Sequence, residues 1–461
     1  MRRRKAEDLL AAGAVATTTL TFGMLRAPDQ PFWFDEAFTA GAAQQSFGDL
    51  GRFLWREAGM GPYYVVLWAW AHFGQSEWWL RSLSVLGGAA TVATIYLFAA
   101  TFINRSVAVL AVIGLCCNSF FLYNLTELRA YSWVMFAALA TTWVFLRLRA
   151  HPSTSRSIAY GTAVGLSLGL LAFSAALVIT HLLFTRQLWR SSGGRRALLI
   201  AGAIAATLFL PLAHALLTSD QIAWIPHTTA SWADVQTAGA FGGTKWRLFY
   251  LGGCALLTVS LVRQRRRGAP HVALEVCALG AASTVITLFL ISLAEPVFIA
   301  RYMAGALPLL IVVGSSGYVF ATRALIARAP RLAFAGWLVP MALATACVVG
   351  FRGSPLEDLT KPEDMRSTGQ ALRRGVAPDD VVVFGSDREK LAIGYYFDPP
   401  SGGTSVVGWG EVTDVDACTL WFVERGSIVE LERRVRSLMP AADITATQYS
   451  GDAVVVAHRC T

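Results

Sequence analysis

From Ser82 onward the chain repeats one pattern: a run of apolar residues without a single charge, closed by an arginine or a short polar turn. Ser82 to Asn104, Ser106 to Thr126, Ser157 to Thr180 and Ala197 to Ala213 all follow it. Each approaches the ~20 residues a helix needs to cross hydrocarbon. A backbone in lipid must satisfy its own hydrogen bonds, so such runs fold as helices. The rest of the composition agrees, with 55% hydrophobic and 15% charged residues and a mean hydropathy of +0.49. An ordinary soluble domain carries about 25% charged residues. A soluble enzyme is therefore excluded. The net charge of +9 does not point to nucleic acid, because the arginines form short clusters between spans and no soluble basic domain holds them.

Those clusters set the topology. Arg2, Arg3, Arg4 and Lys5 precede a first apolar span, Leu9 to Leu25. A cleaved signal peptide is the competing reading, but no small-residue cleavage site precedes Arg26. With the N-terminus inside, residues 26–80 form a first external segment. Further spans follow near 82–103, 106–126, 130–146, 157–172, 173–185, 197–217, 246–262, 271–293, 302–322 and 332–350, about eleven in all. The pair 157–172 and 173–185 can also be read as one long span with a re-entrant piece. On this assignment the inner side receives Arg147, Arg149 and Arg156, the cluster Arg186 to Arg196, Arg263 to Arg267, and Arg323 to Arg331. The outer loops carry fewer basic residues, balanced by acids, as the positive-inside rule requires.

At Gly353-Ser354-Pro355 the character changes. Residues 351–461 carry more acids than bases and alternate helix-like with strand-like segments. Pro362 to Arg374, Arg388 to Phe397 and Ser427 to Leu438 read as helices. Asp380 to Phe384, Thr404 to Val407, Thr419 to Val423 and Ala453 to Ala457 read as strands. The expectation is an α-helical polytopic membrane protein: a transmembrane domain over 1–350 and a small extracytoplasmic α/β domain over 351–461. No glycine-rich phosphate fingerprint follows any of these strands. Cys116, Cys117, Cys254, Cys277 and Cys347 lie in spans and read as small core residues. Cys418 and Cys460 open and close strands in the tail, where an oxidising compartment would allow a disulfide.

Four polar clusters remain beside the spans, all on the outer face. The first is Asp35-Glu36 within Pro31-Phe-Trp-Phe-Asp-Glu-Ala-Phe-Thr39. An adjacent acidic pair among aromatics is costly, and a general base or a cation site explains its presence; an incidental turn is the plain alternative. The second is Glu127-Leu128-Arg129-Ala130-Tyr131, which a helix-end ion pair would also explain. The third is Glu295-Pro296 followed by Arg301-Tyr302, where an arginine can grip a phosphate bidentately or merely anchor the helix. The fourth is the loop 218–247, with Trp224, His227, Asp234, Lys245 and Arg247, suited to sugar recognition or to interfacial anchoring. No Cys/His spacing resembles a zinc site. A divalent cation, magnesium or manganese, at Asp35 and Glu36 stays open, and no cofactor is required.

Trp33-Phe34-Asp35-Glu36, then Gly61-Pro62-Tyr63-Tyr64, Ser76-Glu-Trp-Trp-Leu-Arg-Ser-Leu-Ser84, Glu127-Leu-Arg-Ala-Tyr131 and Arg301-Tyr302 resemble, in order and sidedness, the GT-C superfamily of membrane glycosyltransferases. The similarity is to the protein O-mannosyltransferase and lipid A aminoarabinose transferase-like group, over roughly residues 1–350. It implies inverting transfer of a sugar, mannose-type, from a polyprenyl-phosphate donor to an extracytoplasmic glycan, lipid or protein at the plasma membrane. Asp35 would be the general base and Glu36 would position the acceptor or an ion. Arg301, Arg129 and Tyr302 would bind the donor phosphate. Glu127, Tyr131, Tyr63, Tyr64, His227 and Lys245 would line the substrate groove. A lipid or sugar transporter, or flippase, is the main rival, but transporters place charges at mid-membrane and show repeated halves, and no repeat is visible here. A non-catalytic scaffold of the same fold is the other.

Overall fold

The computed structural model describes residues 2–27, 31–57, 59–218, 225–265, 272–328, 363–398, 404–407, 409, 412, 417–449 and 451–460. They form two compact units. One comprises Met1–Arg26, Arg52–Tyr63 and Ser82–Leu356; the other comprises Ala27–Gly51, Tyr64–Arg81 and Glu357–Thr461. This division differs from the expected boundary near residue 350. Parts of residues 27–81 belong with the tail because they are bonded to it: Phe32 receives the Met365 N–H at 3.0 Å and donates its own N–H to the Tyr396 hydroxyl at 3.0 Å.

The first unit is helical. Its elements are α1 (Arg2–Arg26), then, beyond the connecting helices α2 (Phe34–Ala43), α3 (Phe47–Arg56) and α4 (Gly61–Ala71), the long α5 (Glu77–Phe102). There follow α6 (Arg105–Cys116), α7 (Ser119–Leu125), α8 (Tyr131–Ala150), α9 (Thr154–Leu170), α10 (Ala175–Leu183), α11 (Arg186–Trp189) and α12 (Ser192–Thr218). The series ends with α13 (Ala230–Ala240), α14 (Thr244–Arg265), α15 (Val272–Ile291) and α16 (Ala306–Arg328).

Among the described residues, six helices are long and apolar enough to cross a membrane: α1, α5, α8, α12, α15 and α16. A seventh span results if α6 and α7 are counted as one, although they meet at a bend of 68°. The predicted run 106–126 is thus not a straight rod. Buried Asn118 breaks it by capping α7: its Oδ1 accepts the Phe121 N–H at 3.1 Å while its Nδ2 donates to the Phe241 carbonyl at 2.9 Å. The expected span 173–185 is shortened too. A 3-10 turn and α10 together cover only Ala172–Leu183, about 18 Å at 1.5 Å per residue, against ~30 Å of hydrocarbon. The expected span 332–350 lies outside the described residues.

Packing in this unit uses small residues, since lipid supplies no hydrophobic force between helices. Gly161, Gly165 and Gly169 recur every fourth residue on α9. A Cβ on Gly161 would meet the Ala201 backbone, and one on Gly165 would meet the Leu208 side chain, both on α12. On α14 and α16, Gly253 and Gly317 bring the two backbones together in the same way.

The second unit is built on a five-stranded sheet. Its strands are β1 (Val381–Phe384), β2 (Thr404–Val407), β3 (Thr419–Arg425), β4 (Asp443–Gln448) and β5 (Asp452–His458), in the order β2-β1-β3-β5-β4. β1 runs parallel to β2 and β3, whereas β5 is antiparallel to β3 and β4. Helices α17 (Met365–Gly375), α18 (Asp387–Gly394) and α19 (Ile428–Leu438) complete it. Leu431 and Val435 of α19 pack on Val381, Val383, Leu420, Phe422 and Val455. Four strands and three helices lie where the sequence pattern puts them. β4 escapes that pattern because it is a sheet edge of mostly polar residues, with only Ile444 and Ala446 packed inward.

Cys418 and Cys460 are joined in a disulfide, with Cα atoms 5.0 Å apart and a sequence separation of 42. Thr419 pairs with His458 beside it. Closing a loop of that length restricts the unfolded chain, so Cys418→Ser should lower the stability of this unit by about 2–5 kcal/mol. Thermal unfolding checks the loss, and a non-reduced digest in which the Cys418 and Cys460 peptides separate would refute the bond.

Candidate functional site

In the second unit α2 begins at Phe34, directly after extended Trp33. The Phe34 N–H would otherwise be an orphan of the helix start; it donates to the Glu363 carboxylate at 3.1 Å. Asp35 and Glu36 fill the first turn, where the helix dipole favours negative charge. Adjacent residues stand about 100° apart around a helix, and the two acids meet different surroundings. Asp35 is only partly buried, and its carbonyl accepts the Thr39 hydroxyl at 2.7 Å. Glu36 is fully buried against Arg81: Nε reaches Oε1 at 3.0 Å and Nη2 reaches Oε2 at 2.7 Å.

Arg81 is itself 1% exposed. Its remaining N–H groups donate to the carbonyls of Ala27 and Pro31 at 3.2 Å each, and its guanidinium lies 4.7 Å from the Phe32 ring centroid. This bidentate pair occupies both oxygens of Glu36, which therefore holds the loop before α2 in place. Glu36, expected to position an acceptor or an ion, is thus paired with Arg81. Arg81 itself went unread in the sequence as a site residue, since one arginine opening an apolar run reads as an ordinary helix flank. Among the described residues no group of three or more His, Cys, Asp or Glu side chains could hold a metal ion.

The first unit gathers a second constellation. Glu127 is buried, Arg129 partly buried and Tyr131 buried at the start of α8. The tight backbone bond from Arg129 N–H to the Glu127 carbonyl, 2.7 Å, shapes the segment. Arg301 and Tyr302 arrive on a short 3-10 turn, Ala300–Met303. Tyr131 is buried, and Arg301, Arg129, Tyr302 and Glu127 all lie near enough to act on it electrostatically, so residues far apart in the chain share one neighbourhood. The Ser84 hydroxyl donates to the Arg129 carbonyl at 3.1 Å and is 2.9 Å from the Tyr63 hydroxyl. Tyr63 thus braces Arg129 from beneath: at 2% exposure it lines no open groove, and neither does Tyr64 at 1%.

α13 secures the Arg301 turn. Its Gln236 side chain accepts the Ala300 N–H at 2.8 Å, and the Trp232 indole donates to the Phe298 carbonyl at 2.7 Å. The Tyr302 ring packs 4.9 Å from Phe173. Trp232 lies in the loop 218–247, which the sequence suits to sugar recognition or to interfacial anchoring; its indole serves the backbone beside Arg301, and Gln236 has no motif that would single it out. Arg247 pairs with Asp234 at 2.6 Å. His227 and Lys245 are exposed.

No family model matches the sequence, and no curated protein matches it. Solved structures do. ArnT from Cupriavidus metallidurans in its apo state superposes with a TM-score of 0.66 at 12% identity, covering 98% of each chain. The archaeal oligosaccharyltransferase AglB from Archaeoglobus fulgidus, in complex with an inhibitory peptide and a dolichol-phosphate, gives 0.55 at 10% identity over 90% of this chain and 70% of that one. The apo form of the Archaeoglobus fulgidus oligosaccharyltransferase gives 0.56 at 11% identity over 92% and 70%. The chain has the GT-C fold of these membrane proteins over nearly its whole length.

Proposed function

We propose that this protein is a membrane glycosyltransferase that moves a sugar from a polyprenyl-phosphate donor to an extracytoplasmic acceptor. The observation that carries this reading is the gathering of Glu127, Arg129, Tyr131, Arg301 and Tyr302 on a GT-C scaffold. The dolichol-phosphate bound by AglB supports a lipid-phosphate donor in kind. Arg301 and Arg129 hold the donor phosphate and stabilise the charge it gains on leaving. On the sequence resemblance alone, Asp35 is the general base that takes the proton of the acceptor hydroxyl, whose oxygen attacks the anomeric carbon. The carbon–oxygen bond to phosphate breaks, and the polyprenyl phosphate departs with the electron pair, inverting the centre. The sugar is mannose-type on the sequence resemblance, the membrane is the plasma membrane, and the tail faces outward with its disulfide in an oxidising compartment.

Envelope glycans and glycoproteins from a deletion strain, compared by mass spectrometry with those of strains restored by the wild-type or Asp35→Asn protein, test the reading. One glycan modification should vanish on deletion and return only with wild type. Arg301→Ala should raise the KM for a lipid-phosphate donor about 10- to 100-fold, the worth of ~1.5–3 kcal/mol for hydrogen bonds to a charged group. The acceptor KM should stay nearly constant; an equal loss on both sides would make Arg301 a mere helix anchor.

A further inference from the structure

The second unit contains an open cavity of about 530 Å³, within the ~300–1,000 Å³ typical of small-ligand sites, and neither acid of α2 lines it. Its floor is the start of α5, Gln75 to Trp78, and its wall comes from α17 and the Tyr395–Tyr396 pair. Two arginines of α17 stand in it. Arg366 is bound to Glu77 through Nε at 3.1 Å and Nη2 at 2.6 Å, yet its side chain is 42% exposed. Arg373, two turns further along, is exposed and makes no ion pair among the described residues. Two guanidiniums against the single carboxylate of Glu77 leave the cavity one positive charge in surplus.

The other groups suit a sugar rather than a bare ion. The Trp78 side chain is 38% exposed at the cavity, offering the flat apolar face on which a pyranose ring stacks. Gln44 and Gln75 supply amides that can both donate to and accept from hydroxyls. The tyrosines are already committed: Tyr396 donates to Glu77 and Tyr395 to the Gln75 carbonyl at 2.6 Å. They keep the floor rigid, which limits the ordering cost of binding. Glu77 also lies 4.0 Å from Arg81, the partner of Glu36, so cavity and α2 share one chain of charges.

We propose that this cavity is a recognition site for an acidic saccharide unit of the acceptor, a uronic acid or a sugar phosphate. Arg373 and the open edge of Arg366 take the anionic group, while Trp78 takes the ring face. The assignment rests on the glycosyltransferase reading for the word acceptor only; the binding site itself does not depend on turnover.

Titrating the purified full-length protein in lipid nanodiscs with glucuronate, glucose 6-phosphate, glucose and inorganic phosphate, followed by saturation-transfer NMR, tests it. Either acidic sugar should bind at least tenfold more tightly than glucose and more tightly than inorganic phosphate. Arg373→Ala, an exposed position, should weaken the acidic sugars at least fivefold. Trp78→Ala should weaken both sugars while leaving inorganic phosphate unchanged. Equal binding of glucose and glucuronate, no binding, or indifference to Arg373→Ala overturns the site; inorganic phosphate binding as well as glucose 6-phosphate reduces it to a bare anion contact and overturns it too. Asp35→Asn protein should bind glucuronate like wild type. If wild-type protein binds glucuronate selectively but transfers no sugar, the enzymatic reading fails and the cavity stands. If transfer depends on Asp35 but selective binding is absent, the cavity assignment falls alone.

Discussion

Asp35→Asn should reduce sugar transfer by about 10²–10⁴-fold, the range that a positioned general base contributes, while the protein is made, inserted and folded as before. Asparagine keeps the size and the oxygen of the side chain and removes only its capacity to take a proton. The local fold does not need the charge. α2 is held by the Phe34 N–H bonded to Glu363, by the Arg425 guanidinium 4.8 Å from the Phe34 ring centroid, and by the buried Glu36–Arg81 pair next door. The favourable position of Asp35 near the helix start is worth about 0.3–1 kcal/mol. Turnover within threefold of wild type would remove Asp35 from the mechanism. A large loss of turnover with unchanged donor and acceptor KM values is the pattern of a group that acts in the transition state.

The contrast between Asp35 and Glu36 shows how far the sequence could be read. Two adjacent acids among aromatics announce that something unusual occurs at residues 31–39, and the structure agrees. That Glu36 is the acid paired with Arg81 depends on a residue 45 positions later, and a pattern of local residue types holds no record of such a pairing. The same holds for Glu127, Arg129 and Arg301. Residue type alone singles them out, but the Gln236 and Trp232 bonds that secure the Arg301 turn cross from another helix. The spans were visible because charge is expelled from lipid, a rule that acts residue by residue. The kink at Asn118 and the shortness of α10 were not, because one polar residue or one turn in an apolar run leaves mean hydropathy nearly unchanged. In the tail, strands with buried faces betrayed themselves, whereas the polar edge β4 did not. Attaching residues 27–51 to the tail rests on hydrogen bonds such as that from the Phe32 N–H to the Tyr396 hydroxyl, which no sequence period encodes.

The other large effect concerns stability. Arg81→Ala should destabilise the second unit by about 3–5 kcal/mol, because removing one member of a buried ion pair leaves the other charged, desolvated and unpaired. Here the loss is compounded: besides Glu36, the carbonyls of Ala27 and Pro31 lose their donors, and buried carbonyls without partners are costly. Glu36→Gln should cost less, since an amide keeps one acceptor for the guanidinium. Combining the two, Arg81→Ala with Glu36→Gln, removes the stranded charge and should cost less than the sum of the single losses, giving a coupling energy of opposite sign to the single effects. Thermal unfolding of the four proteins in the same detergent measures all three differences. If Arg81→Ala shifts the midpoint no more than a surface substitution does, the pair does not hold the loop before α2. If the double replacement is as unstable as the sum of the singles, the bonds to Ala27 and Pro31 rather than the ion pair carry the stability. A stable but inactive double variant would go further: it would show that the charge of the pair, beyond its packing, is needed to set Asp35 for its proton transfer.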